Sequence, residues 1–223
     1  MPWPRRHPAA AALPAATATA TVARTARQIE SEPFTPRLHE WTAAVFDHFE
    51  WRRFEALCEA LYGQAGVRTE SQSHGPDGGV DIWLYLQHAS KPMIVQCKHW
   101  SRKVAVDDMR AFFGVLKSHD LERGIFATSA TFTADAAAFA SANGISAQNR
   151  TGLLNLIASR FPAQQAALLE VAYEGEYWRP TCASCGVKMV VRQPKDGGAL
   201  FWGCVNFAKQ RCTTRIQLRT SEK

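Results

Sequence analysis

The sequence predicts an α/β domain followed by a small metal-stabilised module. Between about residues 37 and 171, short apolar runs that read as strands alternate with stretches whose apolar residues recur at helical spacing, with no internal repeat. Beyond residue 180, four of the six cysteines crowd into one short region: Cys182, Cys185, Cys204 and Cys212. At 223 residues and 46% hydrophobic content, the chain has material for one medium domain and a small one.

Residues 1–36 are biased towards Ala, Pro and Thr and are expected to form a disordered tail, with order beginning near Pro36 or Arg37. Leu38, Trp41, Val45 and Phe46 then fall at helical spacing. Phe54, Leu57, Cys58 and Leu61 predict a second helix ending by Gly63 or Gly66. Strands are predicted over 67–71, 80–87 and 93–98, with a turn-rich loop over 73–79 and a turn over 88–92. Asp107 or Asp108 is the expected cap of a helix carrying Met109, Phe112, Phe113 and Leu116. Residues 124–128 read as a buried strand of an α/β sheet. Thr133 is expected to cap an alanine-rich helix that stops near Asn143-Gly144. A short strand over 145–148, a helix carrying Leu153, Leu154 and Ile157, and another over 162–171 complete the domain. Residues 172–180 are expected to be a linker and 181–223 a separate module. Cys58 and Cys97, in apolar contexts, read as small core residues.

The net charge of +6 suits a polyanionic partner. No apolar run approaches the ~20 residues that span a bilayer, so no membrane association is expected. Arg5 and Arg6 ahead of an Ala-rich stretch only loosely resemble a secretory leader, and cysteines gathered at one end do not make a secreted disulfide framework. The expected location is the cytoplasm.

The chemistry gathers around one lysine. Residues 93–98 read Met-Ile-Val-Gln-Cys-Lys, a buried strand in which Lys98 is out of place. Upstream, Gly75-Pro76-Asp77-Gly78-Gly79-Val80-Asp81 feeds an acid into the preceding apolar strand. Alternation puts Gln96 and Lys98 on one face, and neighbouring strands would add Asp81 to it. A carboxylate for a hard cation, an amide oxygen beside it and an ammonium near the scissile phosphate are parts of a metal-dependent phosphodiesterase. The plainer reading of the same spacing is that Asp77 serves the turn and Asp81 pairs with Lys98 across two strands.

This loop, followed by Val95-Gln96-Cys97-Lys98, resembles the catalytic core of the Mrr-like restriction endonucleases, in the branch of the PD-(D/E)xK nucleases where Gln replaces the second acid. Phe54-Glu55, Phe113-Gly114, the run Gly124 to Ser129 and the Ala-rich helix after Phe132 follow in the same order, so the resemblance covers roughly 48–160. It implies a restriction-endonuclease-like α/β fold, a central mixed β-sheet flanked by helices. It implies a Mg²⁺-dependent DNA endonuclease cutting double-stranded DNA, in restriction of foreign or modified DNA or in DNA repair. Asp81 would be the main Mg²⁺ ligand, Gln96 would complete the metal site with the Cys97 carbonyl, Lys98 would be the catalytic lysine, and Glu55 an accessory ligand or water-orienting residue. Gln148-Asn149-Arg150-Thr151-Gly152 departs from the Asp-Gly type of pair common there, a change expected to touch helix capping. His74 and His99 flank the motif without an assigned role. The alternatives are a catalytically inactive DNA-binding protein on the same fold and an RNA-processing nuclease. A homodimer, common among such enzymes, is a further expectation.

Cys182-x2-Cys185, eighteen residues, then Cys204-x7-Cys212 is the spacing of a structural Zn²⁺ site, in which two thiolate pairs close a tetrahedron with no position left for water. So short a module cannot bury an adequate core, and metal binding would supply its folding energy. Cys182-Ala183-Ser184-Cys185-Gly186 and Phe201-Trp202-Gly203-Cys204 resemble the C-terminal zinc ribbons of bacterial type I topoisomerases, which implies single-stranded DNA binding. From Gly175 onward nine Lys or Arg face three acids. Trp202, Phe207, Arg192, Lys209, Arg211 and Arg215 are the candidate nucleic-acid contacts, with Trp178 and Phe201 as further aromatics suited to base stacking; the alternative is that Phe201 and Trp202 pack the ribbon's small core, which one of them is expected to do.

Overall fold

The computed structural model describes residues 36–71 and 79–218. The expected tail up to residue 35, the loop residues His74 and Asp77, and Arg219 and Lys223 lie outside the described residues. The described elements are α1 (Val45–His48), α2 (Trp51–Gly63), β1 (Arg68–Ser71), β2 (Ile82–Tyr85), β3 (Met93–Lys98), α3 (Val106–Ser118), β4 (Gly124–Thr128), α4 (Ala134–Ala142), β5 (Ile145–Gln148), α5 (Arg150–Ala158), α6 (Pro162–Ala172), β6 (Val190–Arg192), β7 (Phe201–Gly203), α7 (Phe207–Gln210) and β8 (Arg215–Gln217).

A five-stranded mixed sheet runs in the order β1-β2-β3-β4-β5. β1, β2 and β3 are antiparallel neighbours, while β3, β4 and β5 are parallel. Parallel strands need crossovers, and α3 and α4 supply them. β4 is buried at every residue, as a central strand covered on both faces must be. On one face Ile82, Leu84, Val95, Cys97, Ile125 and Ala127 pack with Phe54, Leu57 and Leu61 of α2 and with α5 and α6. On the other, Ile94, Phe126 and Ile145 pack with Met109, Phe112 and Leu116 of α3 and with α4. The α/β fold with a mixed central sheet flanked by helices is therefore as expected. Among the described residues, no helix is long and apolar enough to cross a membrane.

Local chemistry explains most boundaries. Thr133 caps α4 by accepting the Ala136 amide, and Asn149 caps α5 by accepting the Gly152 amide at 2.8 Å. Asp108 does not cap α3. The helix begins at Val106, and Asp108 reaches back to the Ala105 amide at 2.9 Å. The first predicted helix shrinks to Val45–His48. Its upstream residues spend their donors on tertiary partners instead: Leu38 N–H on the Tyr173 hydroxyl at 3.1 Å and the Trp41 indole on the Gln165 carbonyl at 2.9 Å. β2 stops at Tyr85 because β1 offers only four partners, Arg68 opposite Tyr85 being the last.

The stretch expected to link two modules is part of the main core. Tyr173 and Tyr177 are fully buried, with ring centroids 4.8 Å apart in an edge-on contact. Beyond it, β6, β7 and β8 form a three-stranded antiparallel sheet over a core of Cys182, Met189, Trp202 and Cys204. The described residues, 36–71 and 79–218, belong to one compact unit.

Candidate active site and metal centre

The candidate residues converge on the end of β3, though not on one face of the sheet. Val80 packs with the α3–α4 side and Ile82, two residues on, with the α2 side. Strict alternation would put both on the same side, so the pleat breaks at Asp81. Asp81 lies just outside β2, and its Oδ2 accepts the Cys97 amide at 2.6 Å. It sits against the backbone between Gln96 and Lys98, where two strands part. Gln96 points to the α3 side and donates from Nε2 to the Gly79 carbonyl at 2.8 Å, which leaves Oε1 as its lone-pair-bearing end. Gly79 has φ +88° and a Cβ there would meet Gln96 Nε2 at 2.9 Å, so the close approach requires glycine.

Lys98 is the last residue of β3 and half-buried. Its carbonyl accepts the Thr128 hydroxyl at 2.7 Å, the Trp100 amide at 3.1 Å and the Ser129 amide at 3.3 Å, which fixes the backbone that carries the ammonium. Glu55 arrives from α2, on the other side of the sheet, with Arg52 Nη1 3.8 Å from its carboxylate. Burial raises its pKa from 4.5 to about 8, and the Asp81 charge adds to the rise, while Arg52 and Lys98 oppose it. Two carboxylates close enough for Asp81 to oppose the ionisation of Glu55 are a donor pair suited to a hard divalent cation. His99 stacks between Phe49 and Phe54, both centroids at 5.5 Å, and so belongs to the packing under the site.

The four cysteines come together as expected: one sulfur from each lies within 4.8 Å of the others. Cys182 Sγ and Cys212 Sγ are 3.7 Å apart. A tetrahedral zinc with Zn–S bonds of about 2.3 Å sets its sulfurs about 3.8 Å apart, so the cluster fits that ion. The Thr214 hydroxyl, 3.3 Å from Cys212 Sγ, and the Thr214 backbone pull the Cys212 thiol down to about 6, whereas burial pushes Cys204 up to about 12. The Asn206 amide donates to Cys204 Sγ at 3.4 Å.

The expected nucleic-acid contacts divide. Trp202 is 5% exposed and packed among Cys182, Met189 and Cys204, so it fills the core of the four-cysteine module and is not available to a base. Trp178 is likewise taken up, edge-on to Tyr177 at 5.0 Å. Phe207 is 57% exposed, and Arg192, Lys209, Arg211 and Arg215 are all exposed. The Arg215 guanidinium lies 3.9 Å over the Phe201 ring. Phe201, Phe207, Arg192, Lys195 and Arg215 line a cleft of about 540 Å³ whose walls include no carboxylate. Sequence reasoning passed over Thr128, which ties β4 to Lys98, and Glu50, whose partners Thr181 and Lys188 are more than 130 residues away. No short-range pattern marks either.

Residues 46–157 match the restriction endonuclease family Mrr_cat. The Escherichia coli K12 protein "Type IV methyl-directed restriction enzyme EcoKMrr" is 31% identical over 126 residues, which cover 53% of this chain and 41% of that relative. The chain thus spans about two fifths of the length of the curated relative it matches. Among solved structures, the MspJI restriction endonuclease in complex with a 27-mer oligonucleotide covers 78% of this chain and 40% of its own, at 18% identity and TM-score 0.38. A protein of unknown function, AF1548, covers 48% of this chain and 65% of its own, at 15% identity and TM-score 0.41. With half of its length matched by that one family, this chain belongs to the Mrr_cat restriction endonucleases.

Proposed function

We propose that the protein is a Mg²⁺-dependent DNA endonuclease of the cytoplasm, acting in restriction of modified DNA. Residues 37–171 would carry the chemistry, and the four-cysteine module, holding Zn²⁺, would help hold DNA. The observation that carries this reading is the meeting of Glu55, Asp81 and Lys98 at the end of β3, where burial and Asp81 together hold Glu55 largely protonated without a cation.

Asp81, Glu55 and the Gln96 Oε1 are the groups that would hold Mg²⁺. Bound there, the ion would supply Lewis-acid charge at the scissile phosphate. Lys98, its backbone fixed by Thr128, would present its ammonium to the charge that develops during hydrolysis. In the module, Zn²⁺ would hold four thiolates in a closed shell and act structurally. The cationic cleft with Phe207 at its rim supports a DNA-holding role, through phosphate charge and stacking on unpaired bases. The name of the Escherichia coli relative makes methylated DNA the first substrate to try.

The test is to incubate zinc-loaded wild type and Lys98→Ala with methylated and unmethylated supercoiled plasmid, in Mg²⁺ or in Ca²⁺. Cleavage that needs both Mg²⁺ and Lys98 is the expected result. DNA binding without cleavage by wild type on either plasmid would overturn the proposal and favour the binding-protein alternative.

A further inference from the structure

We infer that Glu50 is a positioning residue that couples the four-cysteine module to the helix bearing Glu55, so that the module helps set the geometry of the nuclease centre. The inference rests on the nuclease reading above.

Glu50 precedes α2 and is a buried carboxylate. Its Oε2 accepts the Arg52 amide at 3.1 Å, which caps the helix, and the Thr181 amide at 3.2 Å. Its Oε1 accepts the Thr181 hydroxyl at 3.1 Å and the Lys188 ammonium at 3.2 Å. Each oxygen therefore has two donors, and all but one of the four come from the module. The backbone follows the same path: Glu50 N–H donates to the Tyr177 carbonyl at 2.7 Å, and the Trp51 indole donates to the Thr181 carbonyl at 2.8 Å.

The module's side of this joint is built on its metal-binding turn. Thr181 is the residue before Cys182 and pairs in an isolated bridge with Lys188, three residues after Cys185. Lys188 also donates to the carbonyls of Glu176 at 3.0 Å and Arg179 at 2.8 Å, so its ammonium is fixed in place. A simple tether between two modules needs no buried charge, because burying a carboxylate costs more than its pairing returns unless the geometry is well satisfied. Here that charge caps the helix that presents Glu55 five residues later, whereas Asp81 hangs on β3. A tilt of α2 would therefore move one candidate ligand relative to the other. Displacements near 1 Å at a reacting centre can cost about a hundredfold in rate.

The test compares full-length, zinc-loaded wild type, Glu50→Gln, Lys188→Met and the double variant. Five quantities are read: kcat and KM on plasmid, the Mg²⁺ concentration giving half the maximal rate, DNA affinity in Ca²⁺, and amide exchange along α2. Glu50→Gln keeps an acceptor for the helix but loses the charge that Lys188 answers. It should lower kcat at least about tenfold, raise the Mg²⁺ requirement several-fold and speed exchange in the first turns of α2, with DNA affinity within about twofold of wild type. The double variant should lose no more than the worse single variant, since both break one contact. A folded Glu50→Gln with wild-type exchange, kcat and Mg²⁺ requirement would overturn the inference. So would a loss confined to DNA affinity. If wild type does not cleave at all, the nuclease reading fails, and α2 exchange still decides the coupling by itself. Should Glu50→Gln not fold, Thr181→Val, which removes one donor, carries the same readouts with smaller expected changes.

Discussion

Replacing Glu55 with Gln should stabilise the metal-free protein at pH 8 while abolishing its cleavage. Burial, with the Asp81 charge behind it, raises the Glu55 pKa from 4.5 to about 8 in the folded chain. At pH 4 the carboxyl is largely protonated in both states, and its titration costs folding little. Between pH 4.5 and 8 the unfolded chain releases this proton and the folded chain keeps it, so stability falls as pH rises through that window and levels off above it. The full shift corresponds to at most ~4–5 kcal/mol. The side chain is 23% exposed, so nearby water reduces the effect, and roughly 1–3 kcal/mol is the working figure. Gln has the shape of the protonated acid and no such titration. For a chain of this size the advantage at pH 8 should read as roughly 3–8 °C in Tm, vanishing near pH 4. Thermal melts of both proteins across pH 4–9, without divalent cation, make the measurement. Saturating Mg²⁺ should then raise the Tm of wild type and leave that of Glu55→Gln almost unmoved. A Tm difference that does not vary with pH, or a variant less stable than wild type at pH 8, would refute the electrostatic account of this site.

Four further outcomes are expected. Lys98→Ala should lower plasmid cleavage at least about a hundredfold while leaving DNA affinity in Ca²⁺ within a few-fold, because a fixed charge acts on the transition state; the plasmid and binding assays read this directly. Cys182→Ser should lower the zinc content below one ion per chain and unfold the module, visible as lost protection of β6–β8 in amide exchange, since the thiolate shell supplies much of its folding energy. Trp202→Ala should destabilise the module by about 3–5 kcal/mol because the indole fills its core. Phe207→Ala, at an exposed position, should leave melting unchanged and weaken single-stranded oligonucleotide binding by about 1–3 kcal/mol. Equal melting losses for both would remove the distinction drawn between the two rings.

The sequence alone determined the α/β alternation, the strands around Lys98, most helix ends and the clustering of four thiols. These depend on local signals: apolar periodicity, a capping Thr133 or Asn149, and cysteine spacing, each set within a few residues. Tertiary structure decided what depends on distant partners. The pleat break that lays Asp81 against the Cys97 amide arises because Val80 and Ile82 enter different cores, and strict strand alternation could not foresee it. Tyr173 and Tyr177 read as linker because an aromatic pair in a short irregular segment has no periodicity to declare its burial. Trp202 read as either a stacking surface or core filling because its neighbours in sequence do not show that Met189 and Cys182 close over it. Glu50 drew no attention in the sequence because Thr181 and Lys188, which take up lone pairs of its carboxylate, lie more than 130 residues downstream. Local periodicity identifies elements and candidate groups; which of those groups meet is fixed only when the sheet and the thiol cluster bring distant segments together.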